Sequence, residues 1–427
     1  MRVKGINCDS RRVAGDFIFV AIKGNKEDGH RFIKEAINKG ARVIVTQGRY
    51  PLAKSSKGIS FIEVADTRKA LAELAASFYG RPSEKLKVVG ITGTNGKTTI
   101  SYLIEAILKE AHFNPGVIGT INYRFKNRVF AARNTTPGPL ELQPMLARMR
   151  KEKVKYAVME VSSHALEQER IAGISFHSAV FTNLTQDHLD YHLTLENYFR
   201  AKAKLFRGLK RDSFCVLNND DTYGRRLKKL TKAGIITYGI GKGADIIAAD
   251  IKLGVSQAEF TVKTKRGNLA VRTGLIGCHN VYNVLASVSW ALKEGIKQQV
   301  IKSAVEKFCF VPGRLEKIAC SQGFSVFVDY AHTEDALKNV ITFLRQISIG
   351  RIIVVFGCGG ERDKTKRPRM GRVVTTLADY AIITNDNPRS ESPGKIVSAI
   401  RRGISKDNYR VILDRKRAIE QALSIAG

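Results

Sequence analysis

The chain has 427 residues, 44% of them hydrophobic and 26% charged, which describes a globular protein too long for one ordinary core and so divided into two or three domains. No apolar run reaches the roughly 18 residues that a membrane span needs, and Met1 to Ser10 contains no signal-peptide core, so the expected location is the cytoplasm. The net charge of +32 would suit a nucleic-acid binder, but the basic residues lie in short scattered runs such as Arg225-Arg226 and Lys364 to Arg369, with no basic tail and no aromatic–basic repeat. They read as a solvated surface with sites for small polyanions rather than for nucleic acid. Cys8, Cys215, Cys278, Cys309, Cys320 and Cys358 form no C-x-x-C pair, which argues for reduced structural thiols over a disulfide framework or a zinc site.

In chain order, Phe17–Ile22, Ala41–Thr46 and Ile59–Val64 have strand-like patterns, and Ala70–Tyr79 has a helical one. Gly80-Arg81-Pro82-Ser83 reads as a linker, because Gly and Pro break regular structure. From Leu86 the pattern alternates. Leu86–Ile91 is a buried-strand run, and Ile100, Leu103, Ile104, Ile107, Leu108 and Ala111 put Thr98–Ala111 on a helix with one apolar face. Val154–Glu160 and Ala179–Thr182 are further strands. A second boundary is expected near Val311-Pro312-Gly313, followed by strands at Val326–Asp329, Ile352–Phe356 and Ala381–Thr384. Strands alternating with helices predict mostly parallel sheets with helices on both faces, and the expected fold class is α/β, in three consecutive domains.

Gly90-Ile91-Thr92-Gly93-Thr94-Asn95-Gly96-Lys97-Thr98-Thr99 follows a predicted strand and opens a predicted helix. Small residues let backbone N–H groups approach phosphate oxygens, and the helix N-terminus favours their charge. In such a loop Lys97 faces the β- and γ-phosphates and the Thr98 hydroxyl faces Mg²⁺. The general phosphate-loop spacing is not met, since Ile91 stands where that pattern has Gly.

The variant Thr92-Gly93-Thr94-Asn95-Gly96-Lys97-Thr98-Thr99 resembles the loop of the Mur ligases and of their folylpolyglutamate synthase relatives. Other segments extend the resemblance over nearly the whole chain: Cys8 to Arg11, Asn134 to Pro137, Met159 to Leu166, Phe181 to His192, Tyr198 to Lys202, Gly277 to Asn283, Pro312 to Glu316, Asp329 to Thr333, Gly357 to Asp363 and Asp386 to Arg389. In this order and spacing they look like the Mur ligases that add the third peptide residue.

The resemblance implies a UDP-MurNAc-binding domain at 1–84, a central ATP-binding domain with a phosphate-loop-type, mostly parallel sheet at 85–312, and a Rossmann-like, amino-acid-binding domain at 313–427. It implies ATP and Mg²⁺, phosphorylation of a substrate carboxylate, and amine attack on the acyl phosphate. Gly93, Thr94, Asn95, Gly96, Lys97, Thr98 and Thr99 would hold the ATP phosphates, with His279, Asn280 and Asn283 beside the adenine and Arg314, Asp329 and His332 contributed by the last domain. Thr98, Glu160, His188 and Lys202 would hold metal, Lys202 as a carbamate. Lys97, Lys202 and His188 form the implied catalytic set. Cys8, Ser10, Asn25, Lys26, Glu27, Asn134, Thr135, Thr136, Ser162, Gln168 and Arg170 would bind UDP-MurNAc-L-Ala-D-Glu. Glu334 stands where the family has Pro, a turn change.

Asp386-Asn387-Pro388-Arg389 resembles the family's selectivity motif. Arg389 can pair bidentately with the distal carboxylate of meso-diaminopimelate, and Arg362 is the other implied amino-acid contact. The expected form is a monomer acting on small molecules. Family members continue to a Gly-Lys-Gly-His-Glu segment, whereas this sequence ends at Ala426-Gly427, so an incomplete last domain is expected. An inactive member that only binds UDP-sugar and ATP, and an L-lysine-adding homologue, are the alternatives.

Overall fold

The computed structural model describes residues 3–24, 27–48, 50, 58–254, 256–265 and 267–426. The first sheet contains Gly5–Asn7, Phe17–Val20, Ala41–Gln47 and Ser60–Val64, in that order and all parallel. The helix Thr67–Phe78 starts where the Asp66 carboxylate accepts from the N–H groups of Arg68 and Lys69, and it packs against the helix Pro139–Lys151. The expected linker is a packed connection. Arg81 turns through φ 45°, Pro82–Lys85 form one 3₁₀ turn, and the Ser83 hydroxyl accepts from the Ser175 N–H at 3.1 Å.

The central sheet is an 11-stranded layer. Its core is parallel and runs Gly234–Gly239, Phe214–Asn218, Phe176–Phe181, Lys87–Thr92, Tyr156–Glu160, Gly116–Ile118 in space. Both faces of Lys87–Thr92 are covered, which is why it reads as an uninterrupted apolar run. The helix Lys97–Glu110 buries Ile100, Leu103, Ile104, Ile107 and Leu108 completely, at roughly 1.5–3 kcal/mol each, and so fixes the loop that precedes it. The antiparallel edges were not legible in the pattern. Asn122–Phe125 and Arg128–Ala131 border one side; Ala258–Thr264 and Gly267–Thr273 border the other, beyond Ile246–Leu253. These strands are joined by short turns, so they lack the intervening helix that marks a parallel crossover.

The chain then turns tightly, with Arg314 N–H donating to Val311 O at 3.0 Å. Glu316–Ile318 and Val326–Val328 form an antiparallel pair, and Ile353–Phe356, Tyr380–Ile383 and Tyr409–Val411 form a parallel sheet. Glu334 proves to be the first residue of the helix Glu334–Ile347, capped by the Thr333 hydroxyl. The first helical position accepts Pro or an acidic residue equally well, which accounts for the departure from the family pattern. Among the described residues no helix is long and apolar enough to cross a membrane.

At the end of the central sheet away from the phosphate loop, Glu294 closes the helix Cys278–Glu294. Its carboxylate takes Tyr156 Oη at 2.9 Å, His177 Nε2 at 2.6 Å and the Lys87 ammonium. Burial alone would raise its pKa, but His177, Lys87 and Tyr156 outweigh it and hold the group at about 2. The stability it contributes is therefore complete above the ordinary carboxylate pKa of about 4.3 and is lost as pH falls towards 2. Glu294→Gln is expected to cost about 2 kcal/mol at neutral pH and to flatten the acid limb of the stability profile, measured by urea unfolding across that range.

Candidate active site

The strand order reverses around Lys87–Thr92: the chain passes from Tyr156–Glu160 on one side to Phe176–Phe181 on the other. Ligand crevices in such sheets lie beyond the carboxyl ends of the strands at this switch point. Gly93 to Gly96 leave the central strand there. Gly96 has φ 89°, a conformation that strains any other residue, and a Cβ on it would overlap Asn283 Oδ1 unless that side chain shifted. The segment after Phe181 braces the loop from one side. Thr94 N–H donates to Asn183 O at 2.8 Å, Asn95 N–H to Asn183 Oδ1 at 3.0 Å, and the Thr182 hydroxyl to Asn95 O at 2.6 Å.

Two lysines converge on the loop. Lys97 Nζ donates to Gly93 O at 3.0 Å and Thr94 O at 2.8 Å, and Lys202 Nζ donates to the same Gly93 O at 2.8 Å while lying 4.5 Å from the centre of the Tyr198 ring. Burial lowers both pKa values. Glu160 and Asp187 oppose the shift at Lys97, and the Lys97 charge deepens it at Lys202. Lys202 is only 1% exposed.

Glu160 ends the strand on the other side, 1% exposed. Its Oε1 accepts from the Thr120 N–H at 2.9 Å, and its Oε2 accepts from the Thr120 and Thr98 hydroxyls at 2.9 and 3.0 Å. These are neutral donors. Besides Lys97, a second cation is near, the Arg314 guanidinium, whose Nη2 donates to Thr98 Oγ1 at 3.1 Å. The Thr98 proton thus goes to the carboxylate while its lone pair faces a positive charge. A divalent cation needs that arrangement of a hydroxyl lone pair beside a buried carboxylate, so the residues fit Mg²⁺, with Arg314 standing in its direction. Among the described residues no three His, Cys, Asp or Glu side chains cluster as a metal cage.

His188, in a left-handed turn with φ 55°, lies with Nε2 3.3 Å from Asp187 Oδ2 and its ring 4.7 Å from that of His164. Burial, reinforced by His164, Lys202 and Lys97, pushes its pKa down to about 3 against the pull of Asp187. Burial would raise Asp187, but His332 and His188 beside it hold it well below the usual carboxylate range.

The last unit closes the other side of the cleft. Asp329 accepts from the N–H groups of Leu315 and Ala331, both at 2.7 Å, and so fixes the turn that aims Arg314. His332 Nε2 lies 3.7 Å from Asp187, and Asn95 Nδ2 donates to Asp335 at 3.2 Å. The Gly357–Asp363 and Asp386–Arg389 segments are knitted together: Gly360 N–H donates to Asn387 O at 2.8 Å, and Arg389 Nη1 donates to Gly360 O. Arg389 has φ 51°, a conformation that costs a residue other than glycine about 1 kcal/mol. Arg362, Asp386, Asn387 and Arg389 line one cavity of about 1060 Å³ together with Lys97, Glu160, His188 and Lys202.

Residues 2–79 match the Mur ligase family catalytic domain, 91–291 the Mur ligase middle domain, and 313–427 the Mur ligase glutamate ligase domain. A UDP-N-acetylmuramoyl-L-alanyl-D-glutamate–2,6-diaminopimelate ligase of Clostridium tetani is 45% identical over 99% of this chain and 87% of its own length. The chain belongs to the Mur ligase family. A protein of the same name from Bacillus cereus is 42% identical over 99% of this chain and 87% of its own. A solved structure, again of a UDP-N-acetylmuramoyl-L-alanyl-D-glutamate–2,6-diaminopimelate ligase, aligns with TM-score 0.73 at 32% identity, over 100% of this chain and 88% of that one. As a Mur ligase, the chain is an ATP-dependent amide-bond-forming enzyme of three α/β units.

Within this Mur ligase the cleft brings together Thr94 to Thr99, Glu160, His188, Lys202, His279, Asn280, Asn283, Arg314, Asp329 and His332, and, from the dipeptide set, Thr135 and Ser162. Gly93 joins them through its carbonyl. Thr136, Gln168 and Arg170 form a neighbouring cluster, with Arg170 Nη1 on Thr136 O at 3.0 Å and Nη2 on Gln168 Oε1 at 2.7 Å. The Asn134 backbone is held by Tyr123 Oη. Cys8, Ser10, Glu27 and Pro388 lie outside the cleft lining; Ser10 Oγ donates to Glu35 at 2.8 Å, and Glu27 O takes the Gly24 N–H at 2.9 Å. Asn25 and Lys26 lie outside the described residues. Sequence reading missed Thr120, Thr182, Asn183 and Tyr198 as parts of the site. Thr182, Asn183 and Tyr198 stood inside quoted segments, but Thr120 carried no signal.

Lys97→Ala is expected to abolish turnover with an unchanged thermal melt, read by ATP-dependent phosphate release and circular dichroism. Gly96→Ala should weaken ATP binding about tenfold, since it strains the loop at φ 89° and displaces the Asn283 side chain, read by calorimetric titration with an ATP analogue.

Proposed function

We propose that this Mur ligase joins meso-diaminopimelate to UDP-N-acetylmuramoyl-L-Ala-D-Glu in peptidoglycan precursor synthesis. The observation that carries the reading is that one cleft is lined both by Thr94 to Thr99 and by Arg362 and Arg389. The names of relatives covering 99% of the chain agree with it. The dipeptide carboxylate attacks the γ-phosphorus of ATP and ADP leaves. The substrate amine then attacks the acyl phosphate, giving the amide, inorganic phosphate and a proton.

In this reading residues 1–84 receive the UDP end, 85–312 bind ATP, and 313–427 bring the diamino acid. Lys97, turning from Gly93 O to the phosphates, neutralises the charge that develops in transfer. Thr98 and Glu160 would hold Mg²⁺, which would supply positive charge to the phosphoryl transfer. His188, kept neutral, offers an imidazole lone pair to a second ion. Lys202, its ammonium disfavoured by burial, presents a free amine that adds CO₂ to give a carbamate and a proton, supplying an anionic oxygen beside His188. His279, Asn280 and Asn283 take the adenine side, and Arg314, Asp329 and His332 complete the nucleotide site. Thr135, Thr136, Ser162, Gln168 and Arg170, with Asn134, Cys8, Ser10 and Asn25 to Glu27, take the UDP-sugar-dipeptide. Arg389, supported by Asp386, Asn387 and Pro388, pairs with the distal carboxylate of meso-diaminopimelate. The enzyme works as a cytoplasmic monomer.

Phosphate release from ATP, Mg²⁺ and UDP-MurNAc-L-Ala-D-Glu should require meso-diaminopimelate and not L-lysine. Release with lysine alone would assign the lysine-adding reaction instead, and release with neither would leave only binding. Arg389→Ala should raise the KM for meso-diaminopimelate about a hundredfold, as loss of a bidentate charged pair implies, with little change in the KM for ATP. Equal changes in both would remove Arg389 from the amino-acid site.

A further inference from the structure

Thr120 has been given no role so far, yet it touches both the metal side and the dipeptide side of the cleft. Its strand Gly116–Ile118 pairs with Tyr156–Glu160, with Ile118 opposite Met159, so the chain reaches Glu160 two residues later. There Thr120 holds both carboxylate oxygens, Oε1 through its backbone N–H and Oε2 through its hydroxyl, each at 2.9 Å. Its Oγ1 also lies 3.1 Å from Thr135 Oγ1. A hydroxyl has one proton. Because the Thr120 proton goes to the carboxylate, the contact between the two threonines must run from Thr135 to Thr120. Thr135 lines the cleft with its proton already committed, and so it can meet a substrate only as an acceptor.

We infer that Thr120 is a positioning residue that couples the two sides of the site. It fixes the Glu160 carboxylate in the orientation that receives the divalent cation, and it makes Thr135 an acceptor that selects a substrate N–H or O–H rather than a carboxylate. This rests on the proposed role of Glu160 as a cation ligand. Glu160 reached by two bonds from one residue loses a rotational freedom that a lone hydrogen bond would leave, and outer-shell donors of this kind typically set metal affinity by 10–100-fold.

The test measures binding of Mn²⁺, as the probe for the divalent site, by electron paramagnetic resonance in the presence of a non-hydrolysable ATP analogue. Thr120→Val keeps the backbone bond and the side-chain shape but removes the hydroxyl. It should weaken Mn²⁺ binding about tenfold and raise the KM for UDP-MurNAc-L-Ala-D-Glu, and Thr120→Ser should recover both. Thr135→Val should raise that KM and leave Mn²⁺ binding near wild type. Thr120→Ala gives a second variant, should the valine not fold, with the same expected direction. If Glu160→Gln loses Mn²⁺ binding while Thr120→Val and Thr120→Ala retain it, the positioning role is wrong and the site reading stands. If Glu160→Gln itself binds Mn²⁺ as wild type does, the cation role of Glu160 fails and the inference fails with it.

Discussion

The strand Lys87–Thr92 ends between two neighbours that run in the same direction and leave it on opposite sides. The space beyond its last residue therefore receives three chain segments at once: the Gly93–Gly96 loop, the end of the strand carrying Glu160, and the Thr182–Asn183 segment. Only the loop resembles a phosphate site by itself. The neighbouring segments give it its hydrogen bonds and its carboxylate, and the fully buried apolar face of the helix Lys97–Glu110 keeps the three in register. The rest of the site is arranged around this crevice.

Its electrostatics are those of a site awaiting an anion. Lys97 is half-buried and Lys202 fully buried, and both donate to one carbonyl oxygen, Gly93 O. Burial disfavours each ammonium, and the Lys97 charge adds to the effect at Lys202. A triphosphate entering here would meet groups that gain from its charge, and little protein reorganisation would be needed beyond turning Lys97 outward. On the other wall, Glu160 is surrounded by hydroxyl and amide donors rather than by a paired lysine or arginine, which leaves its charge available.

The last unit approaches through a small number of polar contacts: Arg314 on Thr98, Asn95 on Asp335 and His332 towards Asp187. Each of these groups belongs to the site. The units are also joined by Arg369 on Gln186 and by an apolar patch in which Ile276 packs with Leu315 and Phe343. Asp329 fixes the connecting turn by accepting from the N–H groups of both Leu315 and Ala331.

The Gly93–Gly96 loop with Lys97, its flanking strand and helix, and the α/β alternation were legible in the sequence, because each rests on neighbours along the chain: apolar periodicity, a glycine where the backbone turns, a lysine fixed next to it. The same holds for Glu160 and His188, which stood inside segments whose order resembles the family. Tertiary structure alone decided the antiparallel edges of the central sheet, whose short turns leave no crossover helix to read, and the bracing of the loop by Thr182 and Asn183. It alone placed Thr120 against Glu160, since strand register across the sheet brings together residues 40 positions apart. It also separated the dipeptide-side residues, lining the cleft with Thr135 and Ser162 while holding Ser10 on Glu35. Which oxygen a hydroxyl's single proton points to is a property of the packed neighbourhood, and no spacing along the chain encodes it.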